Sequence, residues 1–296
     1  MVAPRVLGPN ELEAIAGGAL PSAARRRLEE LAGIDGMSTS FLSAAESSLA
    51  GGLGVTVLGQ VVGCCAGSLR LGVIRAVGPG SEARHKPGAA RWLERSGVVE
   101  TWTTARLRAV SRIQEQAAIL GADAVVGVRA TRRQLEFVAE VVLTGTAVRT
   151  GPQAPAPGAR PLVTRASVAE LAKLRACGAD PVGLVGGCAS VAAVPSSATT
   201  RALRRRRRRR PSQELDEFSF AFGETRRRAV ARLRTEAAGS GARGVIGIEL
   251  DDLEAFRGGG GDYHVVLHLL GTAVRRPPAV EREPVGVTLR TGSGAG

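Results

Sequence analysis

The feature that most constrains the fold of this chain is an internal repeat. The sequence GADAVVGV at residues 121–128 returns as GARGVIGI at residues 241–248. Each copy is followed by an apolar run that ends in the same pentapeptide, GTAVR, at residues 145–149 and 271–275. The offset between the copies is 120 positions at the first motif and 126 at the second. A repeat of this length predicts two related domains, and it excludes a solenoid of short repeats.

The composition supports two domains with small aliphatic cores. The chain has 296 residues, which suits two domains of ordinary size. Hydrophobic residues make up 44% of it and aromatic residues only 3%, so Val, Leu, Ile and Ala must fill the cores. The formal net charge is +13, and seven of the positive charges lie in one arginine block.

The repeat and the breaks in composition predict the domain boundaries. Residues 151–160 (GPQAPAPGAR) lack large apolar residues and indicate a linker. We predict an N-terminal extension at 1–36 with a short helix at 21–32, a first domain at 37–150, a second domain at 161–276 with an insert at 191–213, and a flexible tail at 277–296.

Each repeat reads as strand, helix, strand, strand. A short helix opens each copy, and then a Gly/Val run predicts a strand at 55–65 and again at 181–188, in an alignment that pairs Cys65 with Cys188. A helix follows, with apolar residues every three or four positions: Leu107, Val110, Ile113, Ala117 and Leu120. Gly121 and Gly241 suit a left-handed helix end, and two strands complete each copy. The predicted class is α+β, with one helix on a small antiparallel sheet per domain and the second sheet face covered by another repeat.

The cysteine pattern and the N-terminus predict a cytoplasmic protein. The four cysteines show no CxxC spacing, and charges at Arg5, Glu11 and Glu13 interrupt any secretory signal. Residues 47–69 carry no charge, but their six glycines and several polar residues favour a buried strand over a membrane span.

The repeated motifs resemble the YbjQ-like family, whose name describes a heavy-metal-binding domain. The resemblance rests on the helix end and strand at 117–128 and on the strand end at 145–148, and the second copy is similar. It implies a small dodecin-like domain that assembles into rings, which are pentamers in the single-domain members. Two domains per chain give an even number of domains per ring, so this chain departs from that pattern.

The resemblance makes a soft metal such as zinc or copper the first ligand hypothesis. Cys65 and Cys188 are the candidate ligands because they align between the copies, although buried cysteines also act as small hydrophobes. His264 and His268 lie four residues apart in a strand pattern, about 13 Å along the strand, which is too far to share one ion. We therefore expect these histidines to lie on a partly exposed strand face.

An arginine block in the second insert gives a polyanion hypothesis. Seven consecutive guanidinium groups can hold phosphates by charge without sequence preference, although such a run is also typical of a solvated loop. Nucleic acid is therefore a possible nonspecific partner. The block consists of Arg204, Arg205, Arg206, Arg207, Arg208, Arg209 and Arg210.

No pattern in the chain calls for catalysis. The glycines at 258–261 lie between two strands and do not open a helix, so they do not form a phosphate loop. The acidic residues at 249–254 read as a solvated strand end. The sequence thus predicts a non-enzymatic binding or scaffold protein that forms a homo-oligomer, with polyanion binding as the alternative.

Overall fold

The computed structural model describes residues 8–32, 39–69, 72–77, 89–153, 155–156, 158–205, 214–257 and 263–275. Seven helices are present in these residues: α1 Pro9–Ala16, α2 Ser22–Ala32, α3 Ala44–Gly52, α4 Ser96–Ile119, α5 Val168–Ala176, α6 Ser197–Arg205 and α7 Asp216–Gly239. The strands are β1 Thr56–Ser68, β2 Ile74–Val77, β3 Arg91–Arg95, β4 Ala124–Leu135, β5 Val138–Arg149, β6 Leu162–Val163, β7 Asp180–Val194, β8 Gly244–Arg257 and β9 Tyr263–Arg275.

The strands form two sheets, one in each half of the chain. Sheet 1 has the order β1-β5-β4-β6, and sheet 2 has the order β2-β3-β7-β9-β8. In sheet 1, β5 pairs antiparallel with both β1 and β4. In sheet 2, β9 pairs antiparallel with both β7 and β8 in the same way. The mixed α+β class predicted from the sequence is confirmed. We call residues 39–149 the first half and residues 162–275 the second half.

Local sequence explains the helix ends in both halves. Ser43 and Ser167 each cap a short helix by accepting a hydrogen bond from the backbone N–H of Glu46 or Glu170, whose carboxylate reaches back. Gly121 and Gly241 follow the long helices with φ of +71° and +73°, the left-handed conformation that the sequence predicted. The predicted helix at 21–32 is α2.

Close packing of the long helices explains one glycine in each sheet. A Cβ on Gly63 would lie 2.0 Å from the carbonyl oxygen of Ala109 in α4, and one on Gly187 would lie 2.1 Å from that of Ala229 in α7. No side chain fits there, so α4 lies directly on sheet 1 and α7 on sheet 2. From Gly59 in β1 and from Gly183 in β7, after the register shift near the start of each strand, odd-numbered residues therefore face the helix of their own half, because side chains alternate along a strand.

The two halves stack as sheet 1, α4, sheet 2 and α7. On β7, even-numbered residues point away from α7, and a Cβ on Gly186 would meet Arg106 of α4 at 2.7 Å. A single core cluster joins buried residues of sheet 1, α4 and sheet 2, among them Leu143, Ile113 and Leu270. The helix α4 thus has two buried faces, one toward each sheet. The exposed Leu107 lies on neither, so the predicted stripe is wrong at that position.

The first insert is a hairpin that extends the sheet of the other half. Strand β2 pairs with β3, and β3 pairs antiparallel with β7, from Arg91 opposite Val194 to Glu94 opposite Val191. The segment between β1 and α4 therefore contributes two strands to sheet 2. The described part of the second insert contributes the end of β7 and α6.

Candidate functional site

The junction between the halves carries the polar chemistry of the fold. Arg106 projects from α4 over Gly186 and donates to the Glu236 carboxylate of α7 at 2.5 Å. Glu236 also accepts the Gly186 backbone N–H at 3.2 Å. Because Arg106 is buried, this ion pair fixes the position of α4 on sheet 2.

A buried histidine lies under α4 on the same face. His268 is opposite Cys188 on β7, and its ring meets the Trp102 ring edge-on with centroids 4.8 Å apart. Burial lowers the pKa of His268 well below its usual range, and the positive charges of Arg132 and Arg106 lower it further. His268 is therefore a neutral core residue at physiological pH.

The sequence placed His264 and His268 correctly on one strand but misjudged their exposure. Both are buried, at 8% and 4% exposure, where a partly exposed face was expected. The reason is tertiary, since α4 of the first half covers the face of β9 that carries His268.

The chain enters the second half along the edge of sheet 1. Strand β6 pairs parallel with β4, and the Thr164 N–H donates to the carbonyl of Val125 at 2.9 Å. The Arg165 N–H donates to the Thr272 hydroxyl of sheet 2 at 3.1 Å, and the Thr164 and Thr272 hydroxyls lie 3.0 Å apart. This segment links the two sheets directly.

The hairpin β2–β3 is held to α7 by a buried carboxylate. Glu94 accepts hydrogen bonds from Arg228 at 2.7 Å and from Arg232 at 2.5 Å. Its neighbour Trp92 donates from the indole Nε1 to the Glu217 carbonyl at 2.9 Å. These contacts join the insert of the first half to the helix of the second.

Two concave sites open at the junction. One cavity of about 480 Å³ lies between the C-terminal half of α4 and the start of β7, with Gln114, Asp123, Arg160, Glu236 and Ser240 as its polar lining. A groove of about 350 Å³ lies at the N-terminal half of α4, with Glu100, Cys188 and Arg232 among its lining residues. Both have mixed polar and apolar walls, which suits small ligands in general and selects none.

The two predicted metal ligands are both buried beside α4, but on different faces of that helix. Cys65 faces the stretch of α4 between Thr101 and Ala109, because Gly67 and Gly63 on either side of it contact those residues. Cys188 lies on sheet 2 in the groove with Val99 and Thr103. The helix therefore separates the two thiols, and a shared ion would require α4 to move.

The alignment that paired Cys65 with Cys188 is off by one residue. Gly63 and Gly187 make the same close approach to a helix, and the Cys64 and Cys188 carbonyls accept from Arg112 and Arg232 in the same way. The position equivalent to Cys188 is therefore Cys64. In this strand the sequence alignment used an offset of 123 positions between the halves, whereas the structure gives 124, from Gly63 to Gly187.

The described residues do not fit a heavy-metal site. They contain no group of three or more His, Cys, Asp or Glu side chains placed to hold one ion. Glu236, which lines the groove with Cys188, is already engaged by Arg106 and Gly186. The other two cysteines, Cys64 and Cys177, are exposed, whereas Cys65 and Cys188 are buried.

Most of the arginine block lies outside the described residues. Arg204 and Arg205 end α6, and Arg206–Arg210 are not described. In the acidic segment, Glu249 forms an ion pair with Arg165, while the side chains of residues 251–254 and the glycines at 258–261 lie outside the description. No helix in the described part of the chain is long and apolar enough to cross a membrane.

Sequence reasoning missed the residues that hold the halves together. Arg106, Glu94 and Glu236 carry no periodic signal, because charged residues are expected to be exposed. The available signal was indirect: α4 has apolar residues on more than one face, which indicates a helix with two buried sides.

An α+β protein with one long helix between two mainly antiparallel sheets is the class that this geometry defines. Residues 94–151, which include α4, β4 and β5, match the model of the YbjQ family, described as "Putative heavy-metal-binding". The match lies in the first half. It contains no cysteine or histidine, so soft ligands would have to come from elsewhere in the chain. No curated protein and no solved structure matches this chain.

Proposed function

We propose that this protein is a non-enzymatic scaffold that assembles with copies of itself and presents binding sites at the junctions. The observation that carries the proposal is an exposed apolar strand. Ile246, Ile248 and Leu250 of β8 are 36%, 51% and 55% exposed. Full burial of an exposed aliphatic side chain contributes about 1.5–3 kcal/mol, and covering these partly exposed ones contributes a fraction of that each, which favours association.

The edge position of β8 strengthens this proposal. Among the described residues β8 is an edge strand of sheet 2, so the backbone N–H and C=O groups on its outer side have no neighbouring strand. Exposed apolar edges of this kind pair readily with another chain. The family match supports a binding role, and the duplication supports a scaffold built from two similar halves.

Native mass spectrometry tests the assembly. We expect the main species to be a multiple of the 30.5 kDa chain and to persist on dilution into the low micromolar range. A 30.5 kDa species at every concentration would overturn the proposal. The same spectrum reports any bound metal ion by its added mass.

Polyanion binding is the second proposal, and the arginine block supports it. We expect weak, nonspecific binding to duplex DNA that falls steeply with salt, because phosphate contacts release counterions. Replacing Arg206–Arg209 by serine should abolish it, whereas replacing the exposed Arg25, Arg26 and Arg27 of α2 should not. Binding that survives 0.5 M salt unchanged would contradict this mode.

A further inference from the structure

The two surfaces that meet at the junction inside the chain each have an equivalent surface elsewhere in the molecule that is exposed. In the junction, α4 covers the face of sheet 2 that carries Gly186, Cys188 and His268. The matching face of sheet 1 carries Val62, Cys64 and Val142, as the strand registers show. Gly186, Cys188 and His268 are buried in sheet 2, whereas Val62 and Cys64 are exposed in sheet 1.

The helix that would cover sheet 1 in the same way is α7, the counterpart of α4. Arg106 is buried against sheet 2, and its equivalent Arg226 is exposed on α7. Thr103 lies beside Cys188, and its equivalent is the exposed Gly223. The outer surface of α7 thus faces solvent where α4 meets a sheet.

The equivalent strands β4 and β8 also differ in exposure. Val126 and Val128 of β4 are each 1% exposed beside β6, while their equivalents Ile246 and Ile248 on β8 are open. In the junction Thr164 donates to the Val125 carbonyl and accepts from the Val128 N–H. The equivalent backbone groups on β8 belong to Val245 and Ile248.

The segment equivalent to β6 lies at the start of the first half. The Phe41 N–H donates to the Thr146 hydroxyl at 3.1 Å, just as Arg165 donates to Thr272 at the same distance. Ser40 therefore corresponds to Thr164. Phe41 is half exposed and is held to Thr146 of sheet 1, so its side chain is available for contact with another chain.

We propose that a second copy of this chain binds head to tail through these surfaces, forming between chains the junction that the structure shows within one chain. The tail surface is β8 with the outer side of α7, and the head surface is residues 39–42 with the outer face of sheet 1. Ser40 of one copy takes the place of Thr164 on the β8 edge of the next. The inference rests on the proposed self-assembly and specifies its surfaces.

The junction between chains differs from the internal one at one position. Sheet 2 has Gly186 under Arg106, whereas sheet 1 has Val62 at that place. Arg226 must therefore lie beside Val62 and not over it. The inter-chain junction is for this reason expected to be looser than the internal one. Because the two surfaces differ, the contact is heterologous and the chains form a closed ring or an open filament.

Two charge substitutions test the mode. Val62→Arg blocks the head surface and Ile248→Arg blocks the tail surface, and both residues are exposed, so folding should survive. Each variant alone should be a monomer in native mass spectrometry. An equal mixture should yield a dimer, because the intact tail of the Val62→Arg chain meets the intact head of the Ile248→Arg chain. Leu107→Arg, which adds the same charge at an exposed residue outside both surfaces, should assemble like the wild type.

The outcomes separate this inference from the proposal on which it rests. A wild type that is monomeric throughout removes both. Variants that assemble like the wild type leave self-assembly standing and overturn these surfaces. Monomeric variants that give no dimer on mixing also overturn the head-to-tail mode, since an isologous contact would be lost in this way.

A thiol readout covers the case in which a variant does not fold. In the wild-type assembly Cys64 should resist alkylation while Cys177, exposed in the chain, reacts readily. When a thiol oxidant such as diamide is added, which takes up the two electrons and two protons, Gly223→Cys should form a disulfide with Cys64 of the next copy and give a ladder of bands on a non-reducing gel. Thr235→Cys, at an exposed position elsewhere on α7, should not. Rapid alkylation of Cys64 in the assembly would overturn the inference.

Discussion

Cys64 and Cys188 occupy equivalent positions in the two sheets, yet Cys64 is exposed and Cys188 is buried. Both carbonyls accept a hydrogen bond from an arginine of the helix in their own half, Arg112 or Arg232. The difference arises because α4 covers the part of sheet 2 that carries Cys188, whereas on the outer face of sheet 1 the described helices α3 and α5 pack only around Ala124, Val126 and Val148 and leave Cys64 open. Two similar halves therefore have different surroundings.

The glycines beneath the long helices should be required for stability. Gly63→Ala and Gly187→Ala would each place a Cβ within about 2 Å of a helix carbonyl, so the helix must shift. We expect each to lower the free energy of unfolding by about 1–3 kcal/mol in urea titrations. Gly51→Ala is the control, since its Cβ meets nothing within 4 Å and α3 should gain about 0.5–1 kcal/mol. Equal stability of all three variants would contradict the close packing.

The Glu94 carboxylate should hold the hairpin on the second half. Glu94→Gln removes the charge that Arg228 and Arg232 share, and we expect a loss of about 1–3 kcal/mol, moderated by the partial exposure of both arginines. Urea unfolding at fixed protein concentration measures it. The exposed Glu100→Gln makes the same charge change and should stay within about 0.5 kcal/mol of the wild type. An equal effect of the two substitutions would rule out a special role for Glu94.

His268 should make the fold less stable in mild acid. Its folded pKa is depressed below 6.5, so as the pH falls through 6.5 the unfolded chain takes up a proton that the folded chain does not. Stability is therefore full above the unfolded pKa and decreases as the pH falls below it.

The variant His268→Leu isolates that contribution. Its free energy of unfolding should change less between pH 7.5 and 5.5 than that of the wild type, at the same protein concentration. The same pH dependence in both proteins would show that His268 protonates freely in the folded state.

The sequence predicts metal binding through Cys65 and Cys188, whereas the position of α4 between the two thiols predicts that they share no ion, and one experiment decides between these predictions. Because α4 separates the thiols, we expect Cys65→Ala/Cys188→Ala to bind Zn²⁺ or Cu⁺ as the wild type does in equilibrium dialysis with metal analysis. Cys64→Ala/Cys177→Ala is the matched control, since it removes the two exposed thiols. Loss of stoichiometric metal in the first variant alone would show that the buried thiols do form a site.

The sequence predicted the elements well because their signals are local. The serine–glutamate caps, the left-handed glycines at 121 and 241, and the alternation along β5 each depend on a few neighbouring residues. The sequence thus predicted the short helix, the first strand, the long helix and the two last strands of each copy, but it did not predict β2, β3, β6 or α6. The sequence also identified the strand that carries His264 and His268.

By itself, then, the sequence determined the α+β class, the duplicated order of the long helix and its strands, and the position of His264 and His268 on one strand. Tertiary structure alone decided which faces those elements bury. The insertion of α4 between two sheets, the transfer of β2–β3 to sheet 2 and the burial of Cys188 depend on contacts between residues more than 80 positions apart. Such contacts leave no periodic trace in the chain, because one apolar strand face looks the same whether it meets its own helix, the other half or a second copy.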